Sequence, residues 1–193
     1  MAFHSRFLLL PAAAFVPAAQ LAPAVAILPA IAIMMSQPAE AFEQQTLQQA
    51  QQRLAPGAAL TPADFRLTPE QHAQLKLSYK VPSLRPAVKA WRVDSGGWLF
   101  LDQVYGRDDV VTYLVAVGDD GKVRGLEVLV CAEGYCEVFT HEWRAKLVGA
   151  THGKWLPEEL VPIVSGSTLS CVHVAEGVKK ILAIHARYLP ETG

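Results

Sequence analysis

Three runs between residues 96 and 130 share one pattern of apolar and polar positions. "GGWLFLDQVYG" (96–106), "VVTYLVAV" (110–117) and "VRGLEVLV" (123–130) are rich in β-branched and aromatic side chains. They are separated by "RDD" and "GDDGK", which carry turn-forming residues, so the pattern predicts three sequential antiparallel strands. Near the carboxyl end the period changes. Cys171, Val174, Val178, Ile181, Leu182, His185, Tyr188 and Leu189 recur at spacings of three and four, the mark of a long amphipathic helix that packs on the sheet. On this reading Lys179 and Lys180 occupy the outward face, and Glu176 pairs with Lys180.

Shorter helices are expected elsewhere. "FEQQTLQQAQQRLAPGAAL" (42–60) gives a glutamine-rich helix stopped by Pro56 and Gly57, followed by a turn. In "LTPEQHAQLKL" (67–77), Thr68 caps a second helix, Pro69 sits in its first turn and Gln71 completes a capping box. Residues 81–86 carry two prolines and a serine and read as an extended connector before the sheet begins. "VFTHEWRAKLVG" (138–149) offers Thr140 as the cap of a short helix ending near Gly149, and "THGKWLPEELVP" (151–162) reads as a loop or broken turn. The expected fold class is therefore α+β, an antiparallel sheet packed with a long C-terminal helix and short N-terminal helices. Three segments follow: 1–41 as a signal, 42–80 as an N-terminal helical segment and 81–193 as the main domain.

The first 41 residues follow another logic. From Phe7 to Met35 the only polar side chain is Gln20; Arg6 and His4 precede the stretch and "SQPAEA" follows it. That is an export pattern with a small-x-small processing site at Ala39, Glu40 and Ala41. The apolar length also suits an uncleaved anchor, although Pro11, Pro17, Pro23 and Pro29 interrupt any continuous helix. In both cases the body faces an extracytoplasmic, periplasm-like space.

Composition narrows the chemistry. A formal net charge of −1, with no basic run interleaved with aromatics, argues against a nucleic-acid partner. No C-x-x-C-H, H-E-x-x-H or G-x-G-x-x-G motif occurs, and the exported histidines stand alone, so no metal site and no catalytic residue is assigned. In an oxidising compartment Cys131 and Cys136 can close a small disulfide loop around "AEGY"; three separate thiols are the alternative, and Cys171 is odd either way.

The densest cluster of hydroxyls is "VSGSTLSCVH" (164–173). A helix start needs one capping oxygen, and here Ser165, Ser167 and Thr168 crowd around Gly166 where the first-turn N–H groups converge. The arrangement suits a phosphate anion, and an ordinary cap is the plainer alternative. "VSGSTLSCVH" followed by "AEGVKKILAIHARYL" resembles the S-G-A-T-[LT]-[ST] motif of the FMN-binding domain family, which includes covalent flavoprotein subunits of the sodium-pumping NADH:quinone reductase and small exported members. "APGA", "GGWLFLDQVYG", "VVTYLVAVGDDGKVRGLEVLV", "EGYCEV" and "WRAKLVG" come in the order of those small members, so the resemblance spans roughly residues 46 to 190.

The resemblance implies FMN joined through its phosphate to the Thr168 hydroxyl by a separate flavin transferase. Ser165, Gly166, Ser167, Leu169 and Ser170 would line the phosphate and ribityl chain, while Glu133, Gly134 and Tyr135 would lie beside the isoalloxazine ring. The chain departs from the family at Pro162, where many members carry an aspartate that helps the transferase, at Ser167 for the usual alanine, and at Ala150 for a frequent lysine. The implied function is electron transfer between a membrane-bound redox partner and an extracytoplasmic acceptor, in a carrier rather than a stand-alone catalyst. An FMN-binding sensor or accessory module and a cofactor-free interaction domain are the alternatives.

Overall fold

The structure, a computed structural model, describes residues 44–79, 85–154 and 168–189. Helix α1 (Leu47–Leu54) starts at a reciprocal capping box: the Gln49 N–H donates to Thr46 Oγ1 at 3.2 Å, and the Thr46 N–H donates to Gln49 Oε1 at 2.8 Å. It ends at Leu54, two residues before Pro56, which cannot continue the N–H ladder. Helix α2 (Pro69–Ser78) repeats the device with Thr68 and Gln71, has Pro69 in its first turn, and buries Leu75 completely. A third short helix, α3 (His141–Ala145), is capped by Thr140, whose hydroxyl accepts from the Trp143 N–H. The long helix is α4 (Thr168–Tyr188).

The sheet has six antiparallel strands: β1 (Leu60–Pro62), β2 (Phe65–Arg66), β3 (Ala87–Val93), β4 (Trp98–Tyr105), β5 (Val110–Val117) and β6 (Val123–Cys131). Its order is β1-β3-β4-β5-β6, with β2 continuing along the edge of β3 beyond β1. The three strands expected from the alternation are β4, β5 and β6. The sheet begins earlier than the sequence suggests, because β1 and β2 occupy a stretch that reads as a turn and β3 follows the prolines directly. Asp64 makes the broken edge possible: its Oδ1 accepts the Ala90 N–H at 3.0 Å, standing in for a missing strand carbonyl, while the Ala63 N–H donates to the Ala90 carbonyl. Residues 80–84, most of the expected connector, and 155–162 of the expected loop lie outside the described residues.

Period-two alternation sends side chains to two cores, one on each face. On one face Phe100, Val104, Val111, Tyr113, Val115 and Val128 meet α2, α3 and α4. On the other, Leu99, Leu114, Ala116 and Leu129 meet α1 through Ala50 and Leu54. Strand β5 is therefore buried on both faces, which explains its nearly unbroken apolar run. Glu127 ties the layers together, since Arg144 of α3 and Gln45, just ahead of α1, both donate to its Oε2.

The orientation of α4 differs from the simple stripe. Lys180, expected on the outward face, is only 3% exposed, and its Nζ donates to Asp102 Oδ2 of β4 at 2.6 Å. The Tyr113 hydroxyl donates to the same oxygen at 2.6 Å, and Glu176 pairs with Lys179 rather than Lys180. The reason is contact area: α4 buries Gly177, Lys180 and Ile184 beside the Val174–Val178–Ile181 row, so more than one stripe faces the sheet. Gly177 permits this approach, because a Cβ there would lie 2.1 Å from the Tyr113 hydroxyl. Burial, followed by the charge of Asp102, drives the Tyr113 phenol well above its ordinary pKa, which keeps it a donor.

Two outcomes follow. Lys180→Met strands a mostly buried carboxylate and is expected to destabilise the fold by at least about 2 kcal/mol in urea titration, whereas Lys179→Met stays within about 0.5 kcal/mol; equal effects contradict the assignment. His185 stands edge-on to Phe100, and burial holds its pKa below the ordinary value against the opposing pull of Asp119. The unfolded chain then takes up a proton that the folded chain refuses, so stability falls as pH drops below about 6.5 and levels off once the folded imidazole titrates. His185→Leu is expected to flatten the urea midpoint over that window; an unchanged slope would assign the loss to other groups.

Candidate functional site

The β4–β5 turn, the segment after β6 and the start of α4 meet at one corner of the sheet. The turn over Gly106, Arg107, Asp108 and Asp109 exposes backbone N–H groups that need acceptors. Glu133 supplies one: its Oε1 accepts from the Asp108 N–H at 3.1 Å and the Asp109 N–H at 3.0 Å. Ser170 supplies another, its Oγ accepting from the Arg107 N–H at 3.1 Å. The contact is too close for a side chain at Gly106, where a Cβ would lie 2.0 Å from Glu133 Oε1 and 2.8 Å from Ser170 Oγ. On the next turn of α4, His173 Nδ1 lies 2.6 Å from the Tyr105 carbonyl oxygen. The hairpin therefore fixes both Glu133 and the first turn of α4.

A covalent bond completes the frame. Cys131 and Cys136 form a disulfide with Cα atoms 5.8 Å apart, closing the loop that carries Glu133, Gly134 and Tyr135. The 3-10 turn Cys136–Val138 leads from it to α3, and Cys171, one position beyond Ser170, is buried and takes no part in the disulfide.

No protein-family model matches the chain, and comparison with curated proteins finds no match.

Each candidate residue has a definite standing in this frame. Thr168 opens α4 and is half-buried, Leu169 is exposed, and Ser170 is buried with its hydroxyl directed to the hairpin. Ser165, Gly166 and Ser167, together with Pro162, lie outside the described residues. Glu133 is held by hairpin amides, which makes it part of the scaffold. Gly134 has open space where a side chain would be, with no atom within 4 Å of a built Cβ, and Tyr135 is exposed.

Four exposed apolar residues border the clamp in sequence, although alternation sends Tyr105 and Val130 to the face of Leu101 and Leu114, opposite α4. Tyr105, Val130, Tyr135 and Leu169 are between 42% and 54% exposed, and they immediately precede Gly106, Cys131, Cys136 and Ser170, the clamp and bridge residues. Among the described residues only two other large hydrophobics, Leu77 and Val148, are comparably open. Rigid backbone beside open apolar side chains is what a flat, partly apolar ligand needs. The charges oppose a simple anion site: Arg107 is outnumbered by Asp108, Asp109 and Glu133. A phosphate here would rely on backbone N–H donors at the start of α4, not on side-chain cations. FMN combines a phosphate with a flat ring; a helix start suits the first, and Tyr135 and Leu169 are the exposed apolar side chains on the bridged loop and the first turn of α4. Among the described residues no group of His, Cys, Asp or Glu is arranged to hold a metal ion.

One element found here was not singled out from sequence, and one residue that was has a further role. The Gly106–Asp109 turn reads only as a hairpin connection, yet its amides organise the corner. Ser170 reads as cofactor lining, yet its hydroxyl holds the turn.

Replacing Cys131 and Cys136 together by serine is expected to cost about 2 kcal/mol for so short a loop. It should also speed hydrogen exchange at the 107–109 amides more than within β5; unchanged exchange there would show that Glu133 holds the hairpin without the bridge.

Proposed function

We propose that this protein is an extracytoplasmic flavoprotein that carries FMN at the start of α4. The FMN phosphate is esterified to the Thr168 hydroxyl by a flavin transferase. The carrier passes electrons between a membrane-bound redox partner and an extracytoplasmic acceptor. The observation that carries this reading is the hydrogen bonding of the first turn of a 21-residue helix, through Ser170, to the hairpin that also holds Glu133 of the disulfide-bridged loop. The "SGSTLS" stretch at that point and its resemblance to the FMN-binding motif supply the identity of the ligand.

FMN, when bound, supplies the redox chemistry; the chain binds and orients it. Thr168 provides the oxygen of attachment, and the N–H groups of the first helical turn solvate the phosphodiester charge. Tyr135 and Leu169, both exposed, would offer apolar contact to the ring. Glu133 and Ser170 act at one remove, keeping the hairpin and the helix start in register. The carboxylates of Asp108, Asp109 and Glu133 give this corner a negative balance against Arg107, which would oppose added negative charge on a bound group.

The proposed location rests on the export pattern of the first 41 residues and accords with the disulfide, a bond favoured outside the reducing cytosol. Among the described residues no helix is long and apolar enough to cross a membrane.

Export of the chain in a host that expresses a flavin transferase is expected to give a mass gain of one FMN less one water. Thr168→Val should abolish that gain. An unmodified mass for the unaltered chain removes the covalent reading, and a modified Thr168→Val protein moves the attachment elsewhere.

A further inference from the structure

A second site lies away from the corner, where the sheet comes apart. Strands β3 and β4 pair only from Lys89–Leu101 to Arg92–Trp98, so Ala87 and Val88 pair with β2 on one edge of β3 and have no β4 partner on the other. The gap is a pocket of about 600 Å³ lined by residues 64–66, Arg85, 87–89 and 101–103. That volume suits a small organic molecule.

The charges in the pocket are not balanced. Lys89 pairs with Asp64 at 3.3 Å, and Asp102 pairs with Lys180 behind it. Arg66 and Arg85 remain, exposed and without an ion-pair partner among the described residues, leaving a surplus of two positive charges. Arg66 stands across from Ala87, and Arg85 is two residues before it, so the two cations sit on the same rim. A pocket lined by Val93, Trp98, Leu99 and residues 116–120, among others, offers a contrast: its Asp119 and Asp120 already pair with Arg92, Lys122 and Arg124.

Asp102 adds a second, different feature. Lys180 and Tyr113 both donate to Oδ2, while Oδ1 has no hydrogen-bond partner among the described residues and is not a buried orphan, so it is open to a donor in the pocket. Stability alone does not account for such a pair, since an apolar replacement of similar volume is often neutral or stabilising. The pair instead holds a neutralised carboxylate at the pocket wall, able to accept a hydroxyl hydrogen bond without repelling a nearby anion. Phe65, Val88 and Leu101 supply apolar wall.

We infer that the β2–β3–β4 pocket binds a small hydroxylated dianion, its charged groups held by Arg66 and Arg85 and its hydroxyl donated to Asp102 Oδ1. The inference is independent of the flavin reading. Two sources share this chemistry, a hydroxylated dicarboxylate and the phosphate monoester of a polyol.

Calorimetric titration of the exported full-length chain with malate, succinate and glycerol 3-phosphate tests it. Binding of malate or glycerol 3-phosphate, weakened at least tenfold by Arg66→Gln with Arg85→Gln, is the expected result; the tighter of the two identifies the source. Succinate, which lacks the hydroxyl, should bind at least fivefold more weakly than malate if malate is a ligand. Both arginines are exposed, so these variants leave the fold intact, and Asp102→Asn serves as a third arm wherever it folds. Absence of binding by both hydroxylated probes at millimolar concentration overturns the inference, as does binding that ignores the arginine substitutions. Succinate binding equal to that of malate overturns the role given to Asp102.

Discussion

An ammonium group brought out of water must meet its carboxylate in good geometry, because an unpaired charge in that place costs several kcal/mol. The contact of Lys180 with Asp102, shared by Tyr113, is that constraint in this protein. It fixes both the rotation of α4 about its axis and its position along β4. Gly177 lets the helix come close enough for the contact to form. Apolar packing would hold α4 against the sheet in several neighbouring registers; the ion pair selects one.

That register determines where the helix begins. Thr168 lies twelve residues before Lys180, about 18 Å along the axis at 1.5 Å per residue. The distance brings Ser170 to the β4–β5 turn and His173 to the end of β4, where each finds a backbone partner. From the other side the disulfide holds Glu133 against the same turn. The candidate flavin site is thus the meeting point of one helix end, one hairpin and one bridged loop, each anchored separately to the sheet. Such a frame presents backbone donors and open apolar side chains with little freedom, which favours a single orientation of a bound ring.

Much of this was legible in the chain. Strands β4 to β6 follow from clean alternation between turn signals, and α1 to α3 from capping residues whose partners are local. The long helix follows from its period. What was not legible depends on contacts far apart in sequence. Strands β1 and β2 are three and two residues long and exist because Asp64 completes a bond to Ala90, which no local pattern announces. Lys180 reads as solvent-facing because a lysine beside an apolar stripe usually is. The signal that it is not lies in two places: Asp102 shares the inward face of β4 with Phe100 and Val104, and Gly177, Lys180 and Ile184 form a second row on α4. A carboxylate on a core face requires a partner, and the second row supplies it. The hydroxyls of the "SGSTLS" stretch were visible, but the task of Ser170 in holding the hairpin was not, since it depends on Arg107, 63 residues away.

The central claim is that the start of α4, not another part of the surface, receives the flavin. It is tested most directly by titrating isotope-labelled exported protein, made without a flavin transferase, with FMN while following backbone amide resonances. The account predicts that the largest shifts fall on Thr168, Leu169 and Ser170 and on Gly134 and Tyr135. Saturating FMN that leaves those amides unmoved, or that shifts only residues of the β2–β3–β4 pocket, would contradict it.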